Sequence, residues 1–207
     1  MAQYFEVHPL NPQVRLLKQA AQLLAAGGIV ALPTDSSYAL ACHLDDKNAA
    51  DRLRRLRGVD ERHHLTLLCC DLAQLAGYAQ VDNVRYRLLR LGTPGPFTFI
   101  LPATRQVPRR VSHPQRKTIG LRVPEHRVLQ ELLALHGEPL LAATLIPPGE
   151  SDALNDPQQI REQFEHRIEA VIDAGACALQ PTTVVDLTGD TPVVTRQGRG
   201  DPASLGL

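Results

Sequence analysis

Hydroxyl and arginine side chains are concentrated in four short segments of this chain. The segments are residues 33–38 (PTDSSY), 52–64 (RLRRLRGVDERHH), 117–124 (KTIGLRVP) and 180–186 (QPTTVVD), the last followed by RQG at 196–198. Hydroxyls and backbone amides at the end of a buried strand can bind a carboxylate or a phosphate, and the planar guanidinium group suits both anions. Together the segments predict a cradle that binds an anionic substrate and stabilises charge in the transition state.

Arg122 stands among apolar residues in one of the predicted strands. Strand alternation places Thr118, Gly120 and Arg122 on one face. A buried guanidinium group is costly unless an anion pairs with it. That anion is either a ligand or a structural carboxylate, for which Asp35 and Asp186 are the candidates.

The paired histidines His63 and His64 invite a metal interpretation, which the pattern does not support. Adjacent residues of a strand point to opposite faces, and no second cluster supplies further ligands. The four cysteines form neither a CxxC pair nor a zinc-binding spacing, so we expect buried thiols in a reducing cytoplasm. The chain also lacks a Walker loop, a GxGxxG fingerprint, a nucleophile elbow and an HExxH motif. Neither a metal site nor covalent catalysis is predicted.

Helical and strand-like patterns are interleaved along the chain, which predicts a mixed α/β fold in a single domain, residues 1–207. In the first helix Asn11 is the expected cap, Pro12 the first residue and Gly27 the stop. Further helices are expected at 48–57, 72–79, 81–91, 128–135 and 157–169. Strands are expected at 29–32, 65–70, 97–101, 118–123, 140–145, 171–173, 183–187 and 192–196.

The composition is that of a globular protein with balanced charge. The 207 residues include 22 basic and 22 acidic side chains, and 43% are hydrophobic, enough for a sizeable core. The chain has no stretch of 18 or more apolar residues and no secretory signal pattern. Neither a membrane partner nor export is therefore expected.

Charge is nevertheless distributed unevenly along the chain. Residues 84–124 hold nine basic side chains and no acidic one, whereas residues 138–190 hold ten acidic side chains and two arginines. The basic stretch predicts contact with a nucleotide or an RNA backbone, the alternative being a solvated helix face and a polar hairpin. The candidate RNA contacts in this stretch are Arg85, Arg109, Arg110 and Arg116.

The four segments occur in the same order in the YrdC family of threonylcarbamoyl-AMP synthases, and the chain most resembles the YciO branch. The resemblance runs from about residue 9 to residue 201. Its marks are GG at 27–28, PTDS at 33–36 with Tyr38, TPGPFTF at 93–99, GLRVP at 120–124, PL at 139–140 leading to Thr144, PTTVVD at 181–186 and RQG at 196–198. The ordered set is far more specific than any one fragment.

The resemblance implies an α/β fold with a twisted mixed sheet and helices around a large concave basic cavity. Members of the family bind ATP and L-threonine, use bicarbonate or CO2, usually require Mg2+, and release pyrophosphate as they make threonylcarbamoyl-AMP. This adenylate supplies the threonylcarbamoyl-adenosine modification of tRNA. Binding of double-stranded RNA or tRNA is also associated with the fold, so RNA binding without catalysis is the alternative function.

The resemblance also implies roles for individual residues of this chain. The expected substrate contacts are Ser36, Arg122, Thr144 and Thr182, the expected nucleotide contacts are Thr118 and Arg196, and the residues expected to neutralise phosphate charge in catalysis are Arg57 and Lys117.

Three departures from the family pattern bear on the nucleotide. The family's Lys-x-Arg motif is RGV at 57–59 here, its Ser-x-Asn motif is TLI at 144–146, and a family histidine is replaced by Leu68. Val59 and Ile146 cannot donate side-chain hydrogen bonds. Two lost charge-assisted bonds, each worth about 1.5–3 kcal/mol, would weaken nucleotide binding by about a hundredfold or more. A more apolar pocket for another acyl or carbamoyl substrate is a third interpretation.

Overall fold

The computed structural model describes residues 1–109, 111–115 and 117–207. Ten strands in this part of the chain form one sheet. They are β1 (Gln3–Glu6), β2 (Val30–Leu32), β3 (Ala39–His43), β4 (Thr66–Leu68), β5 (Phe97–Pro102), β6 (Thr118–Arg122), β7 (Leu140–Thr144), β8 (Ala170–Asp173), β9 (Thr183–Asp186) and β10 (Val193–Arg196). Their order across the sheet is β1-β8-β2-β3-β7-β4-β6-β5-β9-β10.

Six α-helices accompany the sheet in the described residues. They are α1 (Val14–Ala25), α2 (Lys47–Arg57), α3 (Leu72–Tyr78), α4 (Asn83–Gly92), α5 (Arg127–His136) and α6 (Pro157–Phe164), and a short 3-10 helix (Pro202–Leu205) follows β10. Neighbouring strands run parallel in some pairs, such as β4 and β6, and antiparallel in others, such as β3 and β7. The predicted mixed α/β fold is confirmed. Of the helices described, none is long and apolar enough to cross a bilayer.

Two apolar clusters lie on opposite faces of the sheet, because successive strand residues point to opposite sides. In one cluster Leu17 of α1 and Leu132 of α5 pack with Ala41 of β3. The other cluster joins α2, α3, α4 and α6 to strand residues such as Leu40 and Leu141. Packing on both faces thus holds the central strands in place. This packing also fixes the positions of the strand side chains that line the cavity described below.

The sequence patterns did not predict β1 or β3, and β3 is central to the sheet. It has the sequence ALACH and pairs antiparallel with both β2 and β7. Four of its five residues are buried, so it shows no alternation of apolar and polar residues. Alanine is also depleted in strands. Its neighbours in the sheet, rather than its own propensity, fix β3 as a strand.

Two helix ends also differ from the predicted ones. α1 begins at Val14, two residues later than expected, and α6 ends at Phe164 rather than at residue 169. Beyond Phe164 the chain turns back to the sheet, where the Glu169 carboxylate accepts a hydrogen bond from the Ile29 backbone N–H (2.6 Å). The return of the chain to the sheet is a tertiary feature, which a local sequence pattern cannot reveal.

Candidate functional site

A cavity of about 320 Å³ lies against one face of the central strands. Four residues form a row across its floor, because they stand in register on neighbouring strands: Ala142 on β7, Thr66 on β4, Gly120 on β6 and Ile100 on β5. Gly120 keeps this floor open, since a Cβ atom there would lie 3.0 Å from Thr66 Oγ1. Because side chains alternate between the two faces of each strand, these four residues point to the same face of the sheet and form the floor of the cavity.

The cavity wall is cationic. Four arginines line it: Arg57, Arg62, Arg122 and Arg196. In the described part of the chain, its lining contains no aspartate or glutamate. Cations on the walls of a cleft without carboxylates attract an anion. The charge of the cavity therefore matches the anionic ligand expected from the sequence.

Arg122 ends β6 and is almost fully buried, with 6% of its surface exposed. Its Nη2 donates a hydrogen bond to Asp35 Oδ1, so the structure selects Asp35 from the two carboxylates considered above. Burial lowers the pKa of the Arg122 guanidinium group, and the Asp35 charge counteracts that effect. Within the described residues, Arg122 Nε and Asp35 Oδ2 have no hydrogen-bond partner. Arg122 thus keeps one buried donor without a partner among the described residues, in a side chain that lines the cavity.

The turn between β2 and β3 carries Asp35 together with three hydroxyls. Thr34 Oγ1 organises it, because it accepts from the backbone N–H groups of Ser36 (3.1 Å) and Ser37 (3.2 Å). Ser37 lines the cavity. Ser36 is 3% exposed and its hydroxyl lies 3.1 Å from Thr34 Oγ1. The predicted contact between Ser36 and threonine stays a prediction.

Thr182 and Arg196 stand together on the wall near β9 and β10. Arg196 donates from Nε and Nη2 to the Thr182 carbonyl (3.1 and 3.0 Å) and from Nη2 to the Thr182 hydroxyl (3.1 Å). The same hydroxyl lies 2.8 Å from Thr98 Oγ1. The structure thus brings a predicted substrate contact and a predicted nucleotide contact together, and Thr144 lines the same cavity.

Gly198 shapes this wall through close backbone packing. A Cβ atom at Gly198 would lie 2.2 Å from the Pro181 carbonyl oxygen. We expect Gly198→Ala to displace the segment after Arg196 and to lower the free energy of unfolding by about 1–3 kcal/mol, as overpacking does. Gly189→Ala is the matched control, because the nearest atom to its Cβ would be 3.9 Å away. Urea unfolding compares the variants, and equal stabilities would contradict this account of the packing.

Arg57 is the last residue of α2 and is 8% exposed. Its Nη1 donates to the backbone carbonyl of Ile146, which lines the cavity just after β7. Burial lowers the pKa of the Arg57 guanidinium group. Among the described residues, Arg57 Nε has no hydrogen-bond partner. Arg57 therefore joins two parts of the wall, and its Nε is a buried donor left without a partner among the described residues.

His63 and His64 lie differently from the prediction. β4 begins at Thr66, so both histidines belong to the preceding loop, and both line the cavity. The expectation of opposite faces was wrong, because strand alternation does not apply in a loop. His64 Nε2 lies 2.9 Å from the Thr118 hydroxyl. This contact connects the buried Thr118, a predicted nucleotide contact, to the cavity wall.

Some of the predicted basic residues lie away from this cavity. Lys117, Arg109 and Arg105 line a second cavity of about 670 Å³. The predicted role of Lys117 in neutralising phosphate charge therefore has no geometric support from the first cavity. Arg110 and Arg116, two predicted RNA contacts, lie outside the described residues.

Arg85, another predicted RNA contact, bonds within the protein. It donates from Nε to the Leu187 carbonyl (2.8 Å) and from Nη2 to the Gly189 carbonyl (3.2 Å). Its Nη1 pairs with Asp82 Oδ2 (2.6 Å). These contacts give Arg85 a structural role at the start of α4.

The cavity offers no evident protein site for Mg2+, the ion that the family resemblance implies. Mg2+ is usually bound by one or two protein carboxylates in addition to substrate phosphates. The described lining has no carboxylate, and Asp35 is paired with Arg122. The residues therefore do not fit a protein-held Mg2+. Elsewhere in the described chain, His43, Asp45 and Glu138 bring possible ligand atoms within 4.8 Å of one another, at the end of β3 away from the cavity.

Arg62, Ser37 and Thr98 also line the cavity, although none of the three was assigned an individual role from the sequence. Thr98 stands between Phe97 and Phe99 on β5. A polar residue between two large apolar ones on a strand indicates that one face looks away from the core. That alternation was the available signal for Thr98, whereas Arg62 was one arginine among several in its segment.

Comparison with known proteins points to one family. The family model for Sua5, YciO and YrdC, described as "Telomere recombination", matches residues 22–198. The protein YciO of Escherichia coli strain K12 is 47% identical over 201 residues, which cover 97% of this chain and 98% of YciO. The crystal structure of E. coli YciO matches with a TM-score of 0.96 at 46% identity, covering 99% of this chain and 100% of that one.

Two further relatives have names that state a chemistry. The threonylcarbamoyl-AMP synthase of Halorhodospira halophila is 33% identical over 172 residues, covering 82% of this chain and 89% of the synthase. The crystal structure of Pyrococcus abyssi Sua5 complexed with L-threonine matches with a TM-score of 0.87 at 27% identity. That match covers 94% of this chain and 57% of Sua5.

Proposed function

Because the chain belongs to the Sua5/YciO/YrdC family, we propose that its cavity binds L-threonine together with ATP or AMP and makes or cleaves threonylcarbamoyl-AMP. The observation that carries the proposal is Arg122, a buried guanidinium group that lines the cavity with one N–H group unpaired among the described residues. Through this adenylate, the activity is linked to the threonylcarbamoyl-adenosine modification of tRNA. The proposed setting is the cytoplasm.

On the substrate side, Arg122 binds the threonine carboxylate. A carboxylate is the ligand that best compensates a buried guanidinium group, because it accepts charge-assisted hydrogen bonds. Thr182, Thr144 and Ser37 offer hydroxyls to the remaining polar groups of threonine, and all three line the cavity. Ser36 adds a fourth hydroxyl if the turn after β2 adjusts on binding.

On the nucleotide side, Arg57 and Arg196 face the phosphate groups. Both line the cavity, and they approach it from α2 and from β10, so they can flank a phosphate from two directions. Ile146 and Leu68 also line it, which makes part of this side apolar. Cationic groups for phosphate are thus retained, while the amide and imidazole of the family pattern are replaced by apolar side chains.

The chemistry needs positioning and charge neutralisation more than a side-chain base. In synthesis, the amine of threonine combines with CO2 from bicarbonate, loses a proton and becomes a carbamate. A carbamate oxygen then attacks the α-phosphorus of ATP, and the bond to pyrophosphate breaks as pyrophosphate leaves with its electron pair. In cleavage, water attacks the same phosphorus and releases AMP and threonylcarbamate. Arg57 and Arg196 would stabilise the phosphate charge in either direction.

The test measures both directions with the same purified protein. One reaction contains ATP, L-threonine, labelled bicarbonate and Mg2+, and the other contains threonylcarbamoyl-AMP alone. We expect threonine-dependent formation of the labelled adenylate, loss of supplied adenylate to AMP, or both. Protein that is folded by circular dichroism and does neither would overturn the proposed function.

A second candidate function is binding of double-stranded RNA or tRNA without catalysis, and the second cavity favours it. Arg105, Arg109 and Lys117 line this cavity of about 670 Å³, and its described lining contains no carboxylate. Basic side chains along a groove bind a phosphate backbone without reading sequence. The chain has no tryptophan and only four phenylalanines and four tyrosines, so base stacking contributes little.

RNA binding of this kind predicts a steep dependence on salt. Each phosphate neutralised by a lysine or arginine contributes a slope of roughly −0.9 to the plot of log affinity against log salt concentration. We expect Arg109→Gln to reduce the slope for a double-stranded RNA by about one, whereas Arg15→Gln on the exposed side of α1 leaves it unchanged. Fluorescence anisotropy from low to high salt measures both. Salt-independent binding would contradict this candidate function.

A further inference from the structure

We infer that Arg62 and His63 form an added phosphate subsite beside Arg57, and that nucleotide binding to this chain is therefore coupled to uptake of a proton by His63. The inference rests on the proposed function and extends it to the loop between α2 and β4. In this loop the expected second basic residue of the motif is Val59, which is not among the residues that line the cavity. Arg62 and His63, by contrast, both line the cavity.

The loop is held in a defined shape. Arg54, 7% exposed, donates from Nη1 to the backbone carbonyls of Asp60 (2.7 Å) and His63 (3.2 Å). Asp60 Oδ1 in turn accepts from the backbone N–H groups of Arg62 (2.9 Å) and His63 (3.2 Å). Three of these hydrogen bonds hold the backbone of Arg62 and His63, the fourth holds Asp60, and both residues line the cavity. Arg62 and His63 are themselves exposed, and these bonds hold the backbone that presents them at the edge of the cavity.

The side chains on the wall around Arg57 are suited to bind a phosphate. Arg57 is more than nine-tenths buried, lines the cavity and has an unpaired Nε among the described residues. Arg62 adds a second guanidinium group, and Arg196 lines the same cavity. Guanidinium groups bind phosphate through paired hydrogen bonds. A carboxylate is already accommodated at Arg122, so the wall at Arg57 is left for the phosphates of the nucleotide.

Burial and the charges around His63 favour its neutral imidazole when no anion is bound. Partial burial lowers the pKa of His63, and the positive charges of Arg57, Arg54 and Arg196 lower it further. Asp60, the one acidic group among the influences on His63, raises it but does not outweigh them. The neighbouring Arg62 adds another positive charge, and His64 stands next to it in the loop.

A bound phosphate reverses this balance. Its negative charge favours the protonated imidazole and so raises the pKa of His63. Binding must then take up a proton in the pH range between the lowered pKa of the free protein and the raised pKa of the complex. By linkage, affinity for the nucleotide increases as the pH falls through that range.

The test is calorimetric titration of ATP into the wild-type protein and into His63→Gln, in two buffers of different ionisation enthalpy at each of several pH values. The difference between buffers gives the protons taken up, and subtracting the variant removes the protonation of ATP itself. We expect greater uptake by the wild type and, below the pKa of the complex, binding about tenfold tighter than in His63→Gln, the value of one charge-assisted hydrogen bond. His166→Gln, an exposed histidine elsewhere, should behave as the wild type.

The outcomes separate this inference from the proposed function. Equal proton uptake and equal affinity in the wild type and His63→Gln, with ATP binding intact, would overturn the inference alone. No ATP binding by the wild type at any pH would overturn both the nucleotide part of the proposed function and the inference. Loss of pH dependence in His63→Gln with unchanged L-threonine affinity would support the subsite as described.

Discussion

Replacing Arg122 with alanine should abolish measurable L-threonine binding and threonine-dependent turnover, and should lower the free energy of unfolding by about 3–5 kcal/mol. Removing one partner of a buried ion pair leaves the other charge uncompensated. Here the Asp35 side chain is only 9% exposed, and it would lose the guanidinium group that pairs with it. The ligand would also lose the group that is expected to hold its carboxylate. Calorimetry with L-threonine and urea unfolding measure the two effects.

Because a loss of stability alone would also abolish binding by Arg122→Ala, two further variants accompany it in the experiment. Arg127→Ala removes an exposed arginine that pairs with Glu131 one turn along α5, and such pairs contribute about 0.3–0.5 kcal/mol. Arg122→Ala combined with Asp35→Leu removes both buried charges, so stability should recover while threonine binding stays lost. If the double variant is stable and still binds L-threonine, Arg122 is not the carboxylate contact.

Replacing Arg57 with alanine should weaken nucleotide binding by about 10- to 100-fold. This range corresponds to the loss of one charge-assisted hydrogen bond to a phosphate, which is worth about 1.5–3 kcal/mol. The affinity for L-threonine should remain, because Arg122 and Thr182 are untouched. Removing Arg57 also leaves the Ile146 carbonyl without its side-chain donor, so a modest loss of stability is expected. Calorimetry with ATP and with L-threonine gives the two affinities on the same sample.

Arg57→Lys is the informative companion, since the family has lysine at this position. Lysine keeps the positive charge but loses the planar fork, so most of the nucleotide affinity should return while the bond to the Ile146 carbonyl weakens. The opposite pattern, in which Arg57→Ala loses L-threonine and retains ATP, would contradict the assignment of the two sides of the cavity.

The sequence was sufficient to predict the fold class and the need of one buried arginine for an anion, for physical reasons that apply to particular residues. An arginine within an apolar strand requires an anion, so Arg122 could be identified, and Asp35 was one of two possible partners. Asp186 is instead bonded to Thr188, through both its hydroxyl (2.6 Å) and its N–H (2.8 Å). Only the register of strands distant in the sequence decides between two such carboxylates.

Other features depended on tertiary contacts that no local pattern contains. β3 is a strand because β2 and β7 flank it, although its own sequence is rich in alanine. The expectation of opposite faces for His63 and His64 was wrong because both lie in the loop before β4, which begins at Thr66. The loop that carries His63 owes its shape to the buried Arg54, whose hydrogen bonds run to carbonyls six and nine residues along the chain.

The most direct test of the account is a crystal structure of this protein with L-threonine and AMP bound together. We predict electron density for both in the cavity on the central strands. The threonine carboxylate should lie within hydrogen-bond distance of Arg122, and the AMP phosphate should lie between Arg57 and Arg196. An empty cavity at saturating concentrations of both ligands, or threonine bound away from Arg122, would contradict the central claim.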